Sequence, residues 1–181
     1  MVRRVAPVVF VAACGFHGPG VSDAGEATAA ATVAIISEAE LFASTTELGG
    51  HRWTSITNEP GFSGTSYMQC LPTNGTCNDA SQAQSCGPSL VYQLTITQPD
   101  TYFVHTRMLA HTGFDDSIWY AVDGAIDSKE LKVNGDGTWH WNTSSRDYPL
   151  ASGGHTLSLW QREAGARVDV VAVTNSAQLP P

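Results

Sequence analysis

From Val33 onward, short runs of alternating apolar and polar residues are separated by turn residues. Leu90, Tyr92, Leu94 and Ile96 fall on one side of an extended segment, with Val91, Gln93 and Thr95 on the other. Ser117 to Asp123 repeats the pattern, with Ile118, Tyr120 and Val122 opposite Trp119 and Ala121. Further strands are predicted at Val33 to Phe42, Ser66 to Leu71, Tyr102 to Leu109, around Trp139 and Trp141, at Thr156 to Gln161 and at Arg167 to Thr174. Gly49 to Gly64 reads as loop, as does the polar stretch Pro72 to Pro88. Pro99-Asp100, Asp123-Gly124, Asp136-Gly137 and Ser152-Gly153-Gly154 mark turns. Short strands with a turn about every ten residues predict an all-β protein, a β-sandwich jelly roll.

Composition fits that reading. A chain of 181 residues has room for one ordinary domain. The net charge of -8 speaks against nucleic acid as a partner, because no basic stripe exists to meet phosphates. Arg3-Arg4 followed by the apolar Val5 to Ala13 reads as an export signal, too short to span a bilayer. It ends in Val11-Ala12-Ala13-Cys14, which resembles the lipobox of bacterial lipoproteins. That resemblance implies lipidation at Cys14 and a protein exported and lipid-anchored in the cell envelope; plain secretion is the alternative. Gly15, rather than Asp, follows the cysteine and points to the outer membrane. The expected organisation is therefore a signal over 1–14, a flexible tether over 15–32, the β-module over 33–175 and a disordered tail over 176–181.

With Cys14 set aside, Cys70, Cys77 and Cys86 remain, so at most one intramolecular pair forms. Cys77 and Cys86 share one polar loop and are the favoured pair; Cys70 with Cys77 is the alternative. Neither CxxC spacing nor paired histidines support a metal site built on these cysteines.

The last predicted strand poses a chemical question. Asp169 sits among valines, where a bare carboxylate is costly to bury. It needs a cation or a set of donors. Glu38 and Glu40 stand two residues apart on the first predicted strand and so on one side of it. The bland account of these residues is that both glutamates face solvent and Asp169 pairs with an arginine such as Arg167.

Several motifs in order resemble carbohydrate-binding modules of the family 6/35-like type: Glu38-Ala39-Glu40, Gly61 to Tyr67, Thr101 to Arg107, Asp116-Ser117 with Asp123-Gly124, Trp139-His140-Trp141, Gly154 to Leu157, and Arg162-Glu163 with Arg167-Val168-Asp169. The C-terminal module of family 115 glycoside hydrolases is similar. The resemblance runs from about Ile35 to Asn175 and implies a galactose-binding-domain-like jelly roll. It also implies a structural calcium held by Glu38, Glu40 and Asp169. Three carboxylates from the first and last strands suit an ion that takes six to eight oxygens. A glycan site is implied at the loop end, with Tyr67, Trp139 or Trp141, and Arg167 in contact with sugar. The family commonly has Asn where Arg167 stands, and an arginine there could meet an acidic sugar. Arg162 and Glu163 lie on the same turn, and Asp115, Asp116 and Trp119 could contribute from a neighbouring loop. The bland account is that Tyr67, Trp139 and Trp141 are ordinary core aromatics.

The expected function is non-catalytic glycan binding, with a membrane reached only through the N-terminal lipid and a glycoside hydrolase as a potential partner. A structural or adhesion jelly roll without sugar binding is the first alternative. A polysaccharide hydrolase drawing a carboxylate pair from Asp115, Asp116, Asp123 and Glu163 is the second. Neither Gly-x-Ser-x-Gly nor His-Glu-x-x-His occurs, and the histidines are scattered. One tension remains: Arg167 and Asp169 fall on the same face of a regular strand, although one is assigned to a ligand and the other to an ion.

Overall fold

The computed structural model describes residues 34–180. Cys14, the signal and the whole of the tether lie outside the described residues. The first strands are β1 (Ala34–Glu38), β2 (Ser44–Thr46), β3 (Arg52–Ile56), β4 (Tyr67–Leu71), β5 (Ser89–Ile96) and β6 (Asp100–Leu109). They are followed by β7 (Ser117–Val122), β8 (Ala125–Ile126), β9 (Leu131–Lys132), β10 (Trp139–Thr143), β11 (Tyr148–Leu150), β12 (Gly153–Gln161) and β13 (Arg167–Thr174). No helix among the described residues is long and apolar enough to cross a membrane.

Two antiparallel sheets form. One runs β10-β6-β13-β4-β3, with β1 also on β13 and β11 also on β6. The other runs β2-β5-β12-β7-β8, with β9 on β7. The core lies between them. Leu90, Tyr92, Leu94 and Ile96 of β5, Ile118, Tyr120 and Val122 of β7, and Leu157 and Leu159 of β12 come from one sheet. Met68, Cys70, Tyr102, Val104, Met108, Val168, Val171 and Val173 come from the other. Each fully buried aliphatic side chain contributes roughly 1.5–3 kcal/mol by leaving water. Burial pushes the Cys70 thiol up to about 12, so it is a packing group rather than a nucleophile.

The short strands β2, β8, β9 and β11 are not expected from the sequence, and four further features differ from that expectation. The first strand stops at Glu38, and a single 3-10 turn over Ala39–Leu41 follows, so Glu38 and Glu40 do not share a strand face. Strand β3 lies inside the stretch read as loop: of its residues only Trp53 joins the core, and glycines flank it, so periodicity carries little signal. Gly153 and Gly154 open β12 rather than forming a turn. The C-terminal segment is tied down at its start, where Ser176 O accepts from His105 Nε2 (3.1 Å), and Pro180 is buried.

Cys77 and Cys86 are joined in a disulfide. It closes a loop that lies over the outer side of the second sheet. Trp119 and Trp160, paired across β7 and β12, form a small apolar cluster there with Ala83 and Ala121. The Trp119 indole N–H donates to Cys77 O at 2.6 Å.

Strand β13 carries a bulge. Val168 pairs with Met108 and Val170 with Arg107, so Asp169 is the extra residue between them. Val168, Val171 and Val173 belong to the core cluster, whereas Arg167 and Asp169 reach polar partners outside it.

Candidate functional site

Four loops meet at one end of the sandwich. They are residues 57–66 between β3 and β4, 110–116 between β6 and β7, 133–138 between β9 and β10, and 162–166 between β12 and β13. Two polar clusters sit there, both fed by β13.

The first cluster gathers Glu38, Glu40 and Asp169. Asp169 is completely buried. Ser63 N–H donates to its Oδ1 (2.9 Å) and Ser63 Oγ–H to its Oδ2 (3.2 Å), while the Arg107 guanidinium pairs with Oδ2. The same Ser63 hydroxyl lies 2.7 Å from Glu38 Oε2. Thr65 N–H and Oγ1–H donate to Glu40 Oε1 at 2.8 and 2.9 Å. Gly64 fixes this arrangement. Its φ is +66°, and a Cβ there would stand 2.7 Å from Glu40 Oε1 and 3.0 Å from the Glu38 side chain. Burial raises the Glu38 carboxyl above its ordinary range, and the nearby charges of Asp169 and Glu40 push the same way against the Ser63 hydrogen bond.

The cation paired with Asp169 is therefore Arg107, not Arg167. Three carboxylates face one guanidinium, and Glu40 Oε2 is buried with no hydrogen-bond partner. Among the described residues no three Asp, Glu, His or Cys side chains stand as a preformed metal cage. The donor chemistry nevertheless suits a hard divalent cation, which takes carboxylate and carbonyl oxygens and would satisfy the orphaned oxygen.

The second cluster surrounds Arg167. Its Nη1 donates to Asp115 Oδ2 (2.7 Å), and its Nε lies 3.5 Å from Glu59 Oε1. Glu59 Oε1 also meets His111 Nε2 at 2.7 Å. Asp115 is further held by the backbone N–H groups of His111 and Thr112 and by the Thr112 hydroxyl. Burial pushes the Asp115 carboxyl up, but the bonds from Arg167 and Thr112 outweigh it and hold the group below its usual range. With Glu59 and Asp115 both beside it, the Arg167 charge is already answered. Arg167 is therefore not a spare cation for a uronate. Neutral hydroxyls suit a set of fixed carboxylate acceptors and guanidinium donors.

The aromatic residues fall into three groups. Tyr67 is completely buried, with its hydroxyl on Asn58 and its ring edge-on to Trp139 at 5.3 Å. Burial, and then the Glu59 charge, raise its phenol above the ordinary range. Trp139 is half-buried: its indole N–H donates to Pro60 O (2.9 Å), and Arg107 lies 5.5 Å from its ring centroid. Trp141, opposite Arg107 on the edge strand β10, is half-buried as well. Trp119 is buried under the disulfide loop with Arg162 at 5.6 Å from its ring centroid, so it has no face to offer a sugar.

Arg162, Glu163 and Asp116 form a buried layer beneath the loops rather than its rim. Asp116 N–H donates to Glu163 Oε2 (2.9 Å), and Arg162 Nη1 to Glu163 Oε1 (2.6 Å). Lys132 Nζ lies 3.0 Å from Asp116 Oδ2. Burial, with Asp116 close by, raises the Glu163 carboxyl. Two buried carboxyls locked to each other's surroundings do not flank a space for a glycosidic bond.

Glu59, His111, Ser63 and Arg107 belong to these clusters and were not singled out by sequence. Ser63 and Arg107 lay within recognised motifs, Gly61 to Tyr67 and Thr101 to Arg107. Phe114, 81% exposed in the 110–116 loop, was also missed. A lone apolar residue amid Thr, Gly and Asp was its available signal.

No protein-family model and no curated protein matches the chain. Solved structures do. A family 35 carbohydrate-binding module from Paenibacillus barcinonensis is similar over 78% of this chain and 98% of its own, at TM-score 0.58 and 20% identity. The fold is that of the family 35 and family 6 carbohydrate-binding modules. A family 6 module from a Cellvibrio mixtus lichenase, solved with cellotriose, covers 78% of this chain and 96% of its own at TM-score 0.52 and 15% identity. A Podospora anserina β-(1,4)-mannanase that contains a family 35 module matches 82% of this chain at TM-score 0.59 and 17% identity, with 29% of that enzyme covered. The likeness is one of fold.

Proposed function

We propose that the protein is a non-catalytic carbohydrate-binding module that takes a neutral glycan at its loop end and carries a structural calcium. The observation that carries the reading is the convergence of four loops of a module-type sandwich on the fixed polar set Glu59, Asp115, Arg167 and His111. The set fixes donors and acceptors in place for sugar hydroxyls without a net positive charge. Half-buried Trp141 adds an apolar face on the adjoining strand.

Calcium is supported by the carboxylates of Glu38, Glu40 and Asp169, the orphaned Glu40 Oε2 and the bare Gly64 between them. When bound, the ion supplies charge compensation that lets these carboxylates stay ionised in a buried setting. The chain's own residues do the rest: Ser63 links Glu38 to Asp169, and Thr65 fixes Glu40. Attachment to a bacterial envelope, with the outer membrane as destination, rests on the lipobox-like Val11 to Cys14 sequence.

The test is retention of the purified chain in native gels containing neutral polysaccharides (β-glucan, mannan, xylan) or polygalacturonate. Retardation by a neutral polymer, lost in Arg167→Ala or Trp141→Ala with a retained far-ultraviolet spectrum, is the expected outcome. Retardation only by polygalacturonate refutes the neutral-ligand reading. The buried Tyr67 and the engaged Trp139 favour one second reading, a jelly roll that has lost sugar binding. Absence of retardation on every polymer establishes that reading instead.

A further inference from the structure

Sugar recognition needs an apolar face to set against pyranose C–H groups as well as polar partners for hydroxyls. The loop end supplies the polar partners, but its two inner aromatics are engaged. Tyr67 has no exposed surface, and Trp139 is held by Pro60, Arg107 and Tyr67. Phe114 is the opposite case. It is 81% exposed, the most exposed of the large apolar side chains among the described residues.

The loop that carries Phe114 is braced. Thr112 Oγ1 accepts from Phe114 N–H (3.1 Å) and donates to Asp115 Oδ1 (2.8 Å). Asp115, the next residue, pairs with Arg167. From the other side the 133–138 loop packs tightly on Thr112: a Cβ on Gly135 would stand 2.5 Å from the Thr112 carbonyl carbon. Val133 N–H donates to Asp116 O (3.0 Å), and Gly137 N–H to Ala110 O (2.8 Å). A phenyl ring is thus held out in water by a loop with little freedom. Water contact makes that ring unfavourable for the folded chain alone, and a preorganised aromatic is what a binding site uses.

We propose that Phe114 is the stacking residue of the loop-end site, its ring covering the apolar face of a neutral pyranose whose hydroxyls meet Asp115, Arg167 and Glu59. This rests on the carbohydrate-binding reading above and adds a contact residue that the buried Tyr67 cannot supply. Ring and polar set are linked through one residue, because Phe114 immediately precedes Asp115.

Titration calorimetry of the intact chain with neutral oligosaccharides (cellotriose and mannotriose) and with trigalacturonate tests it. Phe114→Ala is expected to weaken the neutral ligand about tenfold or more, with an unchanged melting temperature because the ring buries little in the folded chain. Phe114→Leu is expected to weaken it too, whereas Phe114→Trp is expected to restore binding and to show indole fluorescence changes on titration. Wild-type affinity retained in Phe114→Ala and Phe114→Leu, alongside loss in Arg167→Ala, overturns the role of Phe114 while leaving the sugar site standing. Failure of every oligosaccharide to bind the wild-type chain overturns both.

Discussion

Replacing Arg107 by Met tests the electrostatic logic of the carboxylate cluster. The substitution keeps an apolar stem of similar reach and removes the guanidinium. Asp169 is 0% exposed and keeps only the two Ser63 donors once Arg107 is gone. Arg107 is 25% exposed, so water screens part of the pair, and the cost lies toward the lower end of that for a broken buried ion pair. The bond from Arg107 Nη2 to Gly61 O (3.0 Å) and the contact with the Trp139 ring are lost as well. The expected loss is about 3 kcal/mol, a drop in melting temperature of roughly 6–12 °C for a domain of this size. Circular dichroism melts in chelator provide the measurement, and a double-mutant cycle with Asp169→Asn isolates the pair. In the Asp169→Asn background the same Arg107→Met change is expected to cost at least about 1 kcal/mol less. Equal costs in both backgrounds refute the idea that Arg107 is there to balance Asp169.

Two further predictions bear on charge and pH. Chelation is expected to lower the melting temperature, and a hundredfold calcium excess over Kd to return about 2.7 kcal/mol. Glu38 holds its proton above the ordinary range, so metal competes with that proton and the calcium effect grows as pH rises; Glu40→Gln is expected to diminish it. Identical melts with and without calcium across that range sink the ion site. His105 is buried between Thr143 Oγ1 and Thr174 Oγ1 (2.9 Å each), and burial lowers its ring below the ordinary 6.5. The unfolded chain therefore takes up this proton first as pH falls below 6.5, and stability declines with falling pH by at most about 1.4 kcal/mol per unit. Urea midpoints of wild type and His105→Gln check this, since the variant's profile is expected to be flatter; parallel profiles count against it.

What could be seen in the sequence was whatever depended on local period. Strands β5 and β7 alternate cleanly because each turns one face to the main core, so their limits are legible from residue type; β13 is legible from its run of β-branched residues, its alternation being broken by the bulge at Asp169. Strand β3 is not, since it offers the core only Trp53. Trp119, Asp116 and Glu163 are residue types that bind sugars, and nothing local tells that the disulfide loop and Arg162 enclose them. Glu59 and His111 lie 52 residues apart in aperiodic loops and acquire meaning only where those loops touch. Arg107 is likewise matched to Asp169 by the pairing of β6 with β13, across 62 residues.

The bulge in β13 answers the question of how Arg167 and Asp169 can serve different ends from one face. Regular alternation would set both side chains in a row over neighbouring positions of β6. The extra residue lets Val168 and Val171 both reach the core while Asp169 drops out of the ladder toward Arg107 and Ser63. Arg167, nearer the loop end, is free to meet Asp115 and Glu59. The two clusters are then joined by a second element besides β13, because the 57–66 loop supplies Glu59 to one and Ser63 to the other. Loosening Ser63 therefore loosens the loop that positions Glu59. A fall in sugar affinity on chelation would follow from that shared loop without any contact between ion and sugar, and it would be shared by Arg107→Met, which disturbs Ser63's partner while leaving the sugar-facing residues in place.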